Sequence, residues 1–391
     1  MSVCAVRVAS SGCRRTLLGL ACLSLLLAFG GVVNAGQRLR ATGEFTSAEE
    51  CGRCHQDIHR YWKTSMHAQS SDNPRFQQAF QKAKGDTGKD PGCLTCHAPA
   101  AVYMQDASWQ KKTSWEGVTC DFCHSVRSIR QGQGLPFVVE PGIVKTGPLK
   151  GAKPTAHDAA YSAAYTSSTI CAPCHQYTND KKHDVLSTYA EWQASGYPAK
   201  GTTCQTCHMR SATGHVVDPK VARASTSTLN LHEMPGGHSV TELNRALLAQ
   251  VQAERHGETV DITVTVTNRG AGHKVPTGSP LRAIVMVVEA DNAAGSRQTA
   301  ARTFGRVVVD SAGQELNDEA GVFQRAARTV SDNRLAPGER RTERFSFPMP
   351  SSAPVRALAR FYYRYAPDAG TRPDPGTPFL SVSAWLNAVS K

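Results

Sequence analysis

The sequence predicts an α+β multidomain chain. Residues 36–250 read as a mostly helical and irregular domain, and residues 256–391 as an antiparallel β-sandwich of immunoglobulin-like kind. Two observations carry this reading. Five Cys-x-x-Cys-His motifs fall between Cys51 and His208, in a stretch where hydrophobic periodicity is weak. From Thr259 onward cysteine is absent, and the pattern alternates with period two, as a half-buried strand does.

The motifs are Cys51-Gly52-Arg53-Cys54-His55, Cys93-Leu94-Thr95-Cys96-His97, Cys120-Asp121-Phe122-Cys123-His124, Cys171-Ala172-Pro173-Cys174-His175 and Cys204-Gln205-Thr206-Cys207-His208. Each is an attachment signature for a c-type haem. Two thiols add to the porphyrin vinyl groups as thioethers, and the adjacent His becomes the proximal iron ligand. Structural zinc is the rival for repeated Cys-x-x-Cys, but zinc requires no His after every second Cys, and an odd number of pairs leaves one unmatched. A redox dithiol requires only one such motif. Five covalent haems are therefore expected, held by Cys51, Cys54, Cys93, Cys96, Cys120, Cys123, Cys171, Cys174, Cys204 and Cys207, with His55, His97, His124, His175 and His208 on the irons.

Residues 1–35 read as a secretory signal peptide: Arg7, Arg14 and Arg15 open it, Leu17–Phe29 is apolar, and Val33-Asn34-Ala35 offers a small-residue cleavage site. No transmembrane anchor is expected once it is removed. Of 13 cysteines, Cys4, Cys13 and Cys22 leave with this leader and the other ten belong to haem motifs, so no disulfide is expected. The formal charge of +12 includes three leader arginines. Ten haem propionates and five ferric cores bring the mature protein to roughly +4. With no lysine run or recognised motif, a nucleic-acid partner is excluded.

In the first domain, short apolar runs are expected where porphyrins form the interior. Helices are predicted over 48–65, 74–83 and after each haem motif. Between the domains, residues 243–254 read as a helix with Leu243, Leu247, Leu248 and Val251 on one face. In the second, strands are predicted over 259–267, 281–289, 303–310, 321–329, 341–347 and 355–365, joined by Gly-, Pro- and Asp-rich turns.

A low-spin electron-transfer haem needs a second axial ligand. Nine further histidines are available, enough for every iron to be bis-His. His67 is the leading distal candidate; too near in sequence to serve its own haem, it is expected to reach a neighbouring one. His157 follows. His232 and His238 bracket a Pro-Gly-Gly turn that can aim two imidazoles at different irons. His273 lies in the rigid Gly272-His273-Lys274-Val275-Pro276 segment, and reaching a haem would make the sandwich a lid on the cofactors. His59 is expected to cover a haem edge, His183 and His215 are reserves, His256 reads as exposed, and Met209 as packing on a porphyrin.

The run from Cys51 through Trp62, Ser65 and His67-Ala68 resembles the opening of the cytochrome c-554 family of multihaem cytochromes. That family is related in haem arrangement to octahaem hydroxylamine oxidoreductases and pentahaem nitrite reductases. Gly117–His124, the Tyr189…Glu191-Trp192…Ser195 run, Cys207-His208-Met209 and the His232–His238 turn are similar to segments of that group, over residues 45 to about 280. The resemblance implies stacked parallel and perpendicular haem pairs, mostly bis-His. The chain departs from tetrahaem members by its fifth motif and β-domain, and from the nitrite reductases by lacking Cys-x-x-Cys-Lys.

These readings favour a periplasmic electron-transfer protein over an enzyme, with the outer surface as another destination and no catalytic residue assigned. Its partners would be other cytochromes or membrane quinol oxidoreductases, as in anaerobic respiration. The alternative is a haem enzyme with one open iron, acting on a small nitrogen or sulfur oxyanion. A third reading makes the β-domain a docking module.

Overall fold

The computed structural model describes residues 43–106, 108–130, 135–221, 227–349, 352–366 and 376–388, all within one compact unit. The proposed leader lies outside the described residues. Among those described, no helix is long and apolar enough to cross a membrane.

The haem-motif half consists of short helices and two-stranded ribbons. The predicted 48–65 helix is two, Ala48–Gly52 and Gln56–Lys63, broken at the first motif. Pro74–Lys84 forms as expected: Asn73 caps it by accepting from Arg75 and Phe76 backbone N–H groups, with Pro74 in the first turn. A helix follows the second motif at Pro99–Tyr103, but the third, fourth and fifth lead instead into strands Val126–Ile129, Tyr177–Thr178 and Ser211–Gly214. Helix resides in the motifs themselves, as in Leu94–His97, Cys120–Cys123, Ala172–His175 and Cys204–His208. One helical turn puts cysteines three apart on the same face, as two bonds to one porphyrin require.

The C-terminal half is a two-sheet sandwich of seven strands: β1 (Leu247–His256), β2 (Thr259–Asn268), β3 (Ala283–Asn292), β4 (Arg297–Phe304), β5 (Arg340–Pro348), β6 (Val355–Arg364) and β7 (Thr377–Leu386). One sheet runs β5-β2-β1, the other β4-β3-β6-β7, and every pairing is antiparallel. Val260, Ile262, Val264 and Val266 of β2 face Ile284, Met286, Val288 and Ala290 of β3 in one buried core. Burying each larger side chain contributes about 1.5–3 kcal/mol.

Three predicted elements are corrected. The 243–254 helix is helical only before Leu247: Ser239 caps a helix over Val240–Ala246, and the chain then becomes β1. Leu247 and Val251 fit both periods, and ten residues of pairing with β2 decide for the strand. The 321–329 strand begins as a helix, Glu319–Arg325, because Asp318 accepts from the Gly321 N–H at 2.9 Å. The 303–310 strand breaks at Gly305, leaving Phe304 at the end of β4 and Arg306–Val309 in a separate ribbon with Arg328–Asp332. Strand β7 was not predicted.

Candidate haem-binding site

The attachment cysteines adjoin one another across motifs. Their thiols stand where haem thioether sulfurs would be. Cys51 contacts Cys120, Cys96 contacts Cys174, and Cys171 contacts Cys204. Cys123 lies within electrostatic reach of Cys171 and Cys174. The first motif therefore adjoins the third, the third the fourth, and the fourth both the second and the fifth. Among the described residues, no three His, Cys, Asp or Glu side chains converge as a tetrahedral metal would require.

The histidines pair across larger distances. His55 faces His157 with ring centres 6.2 Å apart, His67 faces His175 at 6.1 Å, His124 faces His232 at 6.4 Å, and His208 faces His273 at 6.2 Å. An iron bound to two imidazole nitrogens at about 2.0 Å each holds the ring centres roughly 6 Å apart. Each pair joins one motif histidine to one of His157, His67, His232 and His273.

Hydrogen bonds leave the correct nitrogen free. Nδ1 of His55, His124 and His208 bonds the carbonyls of Val216, Thr146 and Pro235 at 2.6, 2.7 and 2.6 Å. On the opposite side, Nδ1 of His157, His232 and His273 meets Asp158, Asn230 and Lys274 carbonyls at 2.8, 2.7 and 2.9 Å. Nδ1 of His67 meets the Met234 sulfur at 2.8 Å. Engaging Nδ1 fixes the tautomer that offers Nε2 to a metal. Burial disfavours the charged form of three of the paired rings, pushing His67 and His232 down to about 4 and His175 to about 3. The four pairs thus fit haem iron in spacing and, wherever Nδ1 is engaged, in tautomer.

Backbone shape places His67. The carbonyl of His67 accepts from the Val118 N–H at 2.9 Å, and the Trp62 indole donates to the Val118 carbonyl at 3.0 Å. Gly117, at φ +62°, leaves no room for a side chain, since a Cβ there would collide with the His67 carbonyl. His273 is placed from the helix Thr188–Gln193: Glu191 accepts from the Lys274 N–H at 3.2 Å and from the Thr277 hydroxyl at 2.8 Å, and pairs with Arg334.

Residues 50–125, which hold the first three motifs, match the family described as cytochrome c554 and c-prime. A penta-heme cytochrome c552 from Thermochromatium tepidum superposes with a TM-score of 0.71, at 22% identity, over 87% of this chain and 99% of that one. Over residues 50–125 the chain is thus similar to that family, and over most of its length it shares the fold of the penta-heme protein. The ApaA protein of Bordetella pertussis (16% identity, 36% of this chain and 93% of that one, TM-score 0.19) and Spo0M of Bacillus subtilis (14%, 37% and 50%, 0.17) are too dissimilar in structure to bear on it. No curated protein sequence matches.

Other expected ligands stand apart. No described imidazole faces His97 at the spacing of the four pairs. Its Nδ1 meets the Ser70 carbonyl at 3.1 Å, and Phe76 lies flat against the ring at 4.0 Å. His238, expected as a ligand, faces no motif histidine in this way; its neighbours include Arg282 and Glu233. His59 packs on Trp62 with ring centres 5.7 Å apart, His215 leans toward Asp57 at 3.8 Å, and exposed His256 sits between Glu254 and Asp261. His183 Nε2 is buried without a partner. Met234 behind His67 escaped sequence reasoning, because nothing local marks a thioether as an imidazole support.

Proposed function

We propose that this protein is an exported pentahaem electron carrier in which four irons are bis-His and the fifth is held by His97 alone. The bis-His sets are His55 with His157, His124 with His232, His175 with His67, and His208 with His273. Four ring pairs at 6.1–6.4 Å are the observation that carries the reading. When bound, each haem supplies one iron that accepts and releases a single electron.

The cysteine contacts order the wire. Electrons pass among the first, third and fourth haems, and the fourth adjoins both the second and the fifth. The second haem is thus a branch, and an enzymatic reading attaches to it alone, through the unpaired His97. The basic, acid-free leader supports export to the periplasm, where cytochromes or membrane quinol oxidoreductases would be the partners.

Expression in a host that matures c-type cytochromes tests this. The expected product is leader-free, with a mass equal to polypeptide plus five haems, and it reoxidises a reduced partner cytochrome. A bare-polypeptide mass, or reduction by no partner, would overturn the reading.

A further inference from the structure

We propose that the exposed ribbon beside His157 is the docking surface for a small acidic electron-carrier protein, which exchanges electrons with the first haem. This deepens the proposed function and rests on the reading that His55 and His157 share that haem's iron.

One element ties this surface to two of the histidine pairs. Strands Val144–Gly147 and Asp158–Tyr161 run parallel, with Val144 opposite Asp158 and Gly147 opposite Tyr161. The Asp158 N–H donates to the Ile143 carbonyl at 3.0 Å at one end, and the Ser162 N–H to the Gly147 carbonyl at 2.9 Å at the other. Thr146 donates its N–H to the His124 carbonyl at 2.7 Å and holds His124 Nδ1 with its own carbonyl. His157 immediately precedes the second strand, with Nδ1 on the Asp158 carbonyl and its ring centre 6.2 Å from that of His55. In extended backbone, Tyr161 stands about 10 Å along the strand from Asp158.

The outer side of the ribbon has the make-up of a protein contact. Leu149 is 57% exposed and Tyr161 44%. Single apolar side chains are ordinary on surfaces, but these two share one end of the ribbon, Leu149 lying two residues beyond the partner of Tyr161. Lys150 sits over the Tyr161 ring, 5.0 Å from its centre. Residues 147–157 contain Lys150 and Lys153, both exposed, and no acid. Among the described residues neither lysine is paired with a carboxylate, whereas Lys145 at the base is paired with Asp121 and the bordering Glu140 with Arg127. The ribbon's exposed acid, Asp158, stands at the other end, opposite Val144. An apolar centre with an unpaired basic rim fits a partner whose redox centre is ringed by carboxylates: the rim steers the encounter and the apolar contact holds it. The place in the wire agrees, because the first haem is an end, adjoining the third through Cys51 and Cys120. Trp385, more exposed than either apolar residue at 69%, lies on β7, which holds no histidine.

The fully loaded protein tests this, with reduced plant-type ferredoxin as the acidic probe and stopped-flow haem spectra as the readout. Lys150→Glu combined with Lys153→Glu should slow reduction by ferredoxin roughly tenfold at low salt, and the gap should close as salt rises. Tyr161→Ala should slow it several-fold with the salt dependence kept. The extent of reduction by dithionite should match wild type in each variant, which controls for folding and haem loading. Lys89→Glu combined with Lys200→Glu makes the same change of net charge at exposed positions beside the second and fifth motifs, and should leave the rate within about twofold of wild type. Equal slowing by both double variants would overturn the docking surface. So would wild-type rates in the Lys150 and Lys153 variant; loss of self-association, or of binding to anionic phospholipid vesicles, would then give the patch to a second copy or a membrane. His157→Ala should turn one low-spin haem high-spin, and an unchanged low-spin count would overturn the ligand reading beneath, whatever the ferredoxin rates.

Discussion

Glu191 and Arg334 form an ion pair with an N···O distance of 2.8 Å, their side chains only 8% and 6% exposed. Arg334 belongs to the sandwich half, and Glu191 to the helix before the fifth motif. The same carboxylate holds Lys274 and Thr277, so this pair fixes the segment that aims His273 at His208. Arg334 also binds Asp332, which in turn accepts from Lys274 at 2.8 Å.

Glu191→Ala should therefore do two things. Leaving Arg334 with Asp332 as its only carboxylate partner should cost about 2–4 kcal/mol in urea unfolding. The loop would also loosen, and the haem at His208 should become partly high-spin. A destabilised protein with all ligation intact would separate the ion pair from the loop's aim.

His273→Ala removes one imidazole from a ring pair 6.2 Å across. One low-spin haem should convert to high-spin, and one further carbon monoxide should bind after reduction. His238→Ala is the matched control, expected to leave the low-spin count unchanged. Equal effects from both would refute the assignment of ligands.

Asp332 gives a pH dependence. Burial raises its carboxyl, but hydrogen bonds from Arg334 and Lys274 outweigh this and hold it well below the usual carboxylate range. A depressed folded value means stability that is present above the unfolded value of about 3.9 and is lost as pH falls below it. Asp332→Asn should flatten the stability-against-pH curve below about pH 4 and lower stability at neutral pH. An unchanged acid limb would show that the network contributes nothing there.

Gly237→Ala tests the packing beside Tyr363. The added methyl must displace the phenol, costing about 1–3 kcal/mol. Thermal unfolding should show the loss, while the four bis-His spectra persist. Wild-type stability would mean that the turn moves aside freely.

Local chemistry was legible in the sequence, and long-range geometry was not. The attachment motifs announce themselves because two thioethers and a ligand must be contiguous. The β2 strand was equally plain, since its alternating valines and threonines admit one period. His55 and His157 lie far apart in sequence, and only tertiary folding makes them opposites. The β1 strand is ambiguous in sequence because Leu247 and Val251 satisfy helix and strand alike, and the Asp318 cap sits at the edge of a run whose apolar pattern suits a strand.

Quantitative spin counting by electron paramagnetic resonance, on the oxidised five-haem protein, tests the central claim most directly. Four low-spin haems and one high-spin haem are expected, with the high-spin signal retained in His238→Ala. Five low-spin haems would contradict the account, because His97 would then share its iron with a second strong ligand.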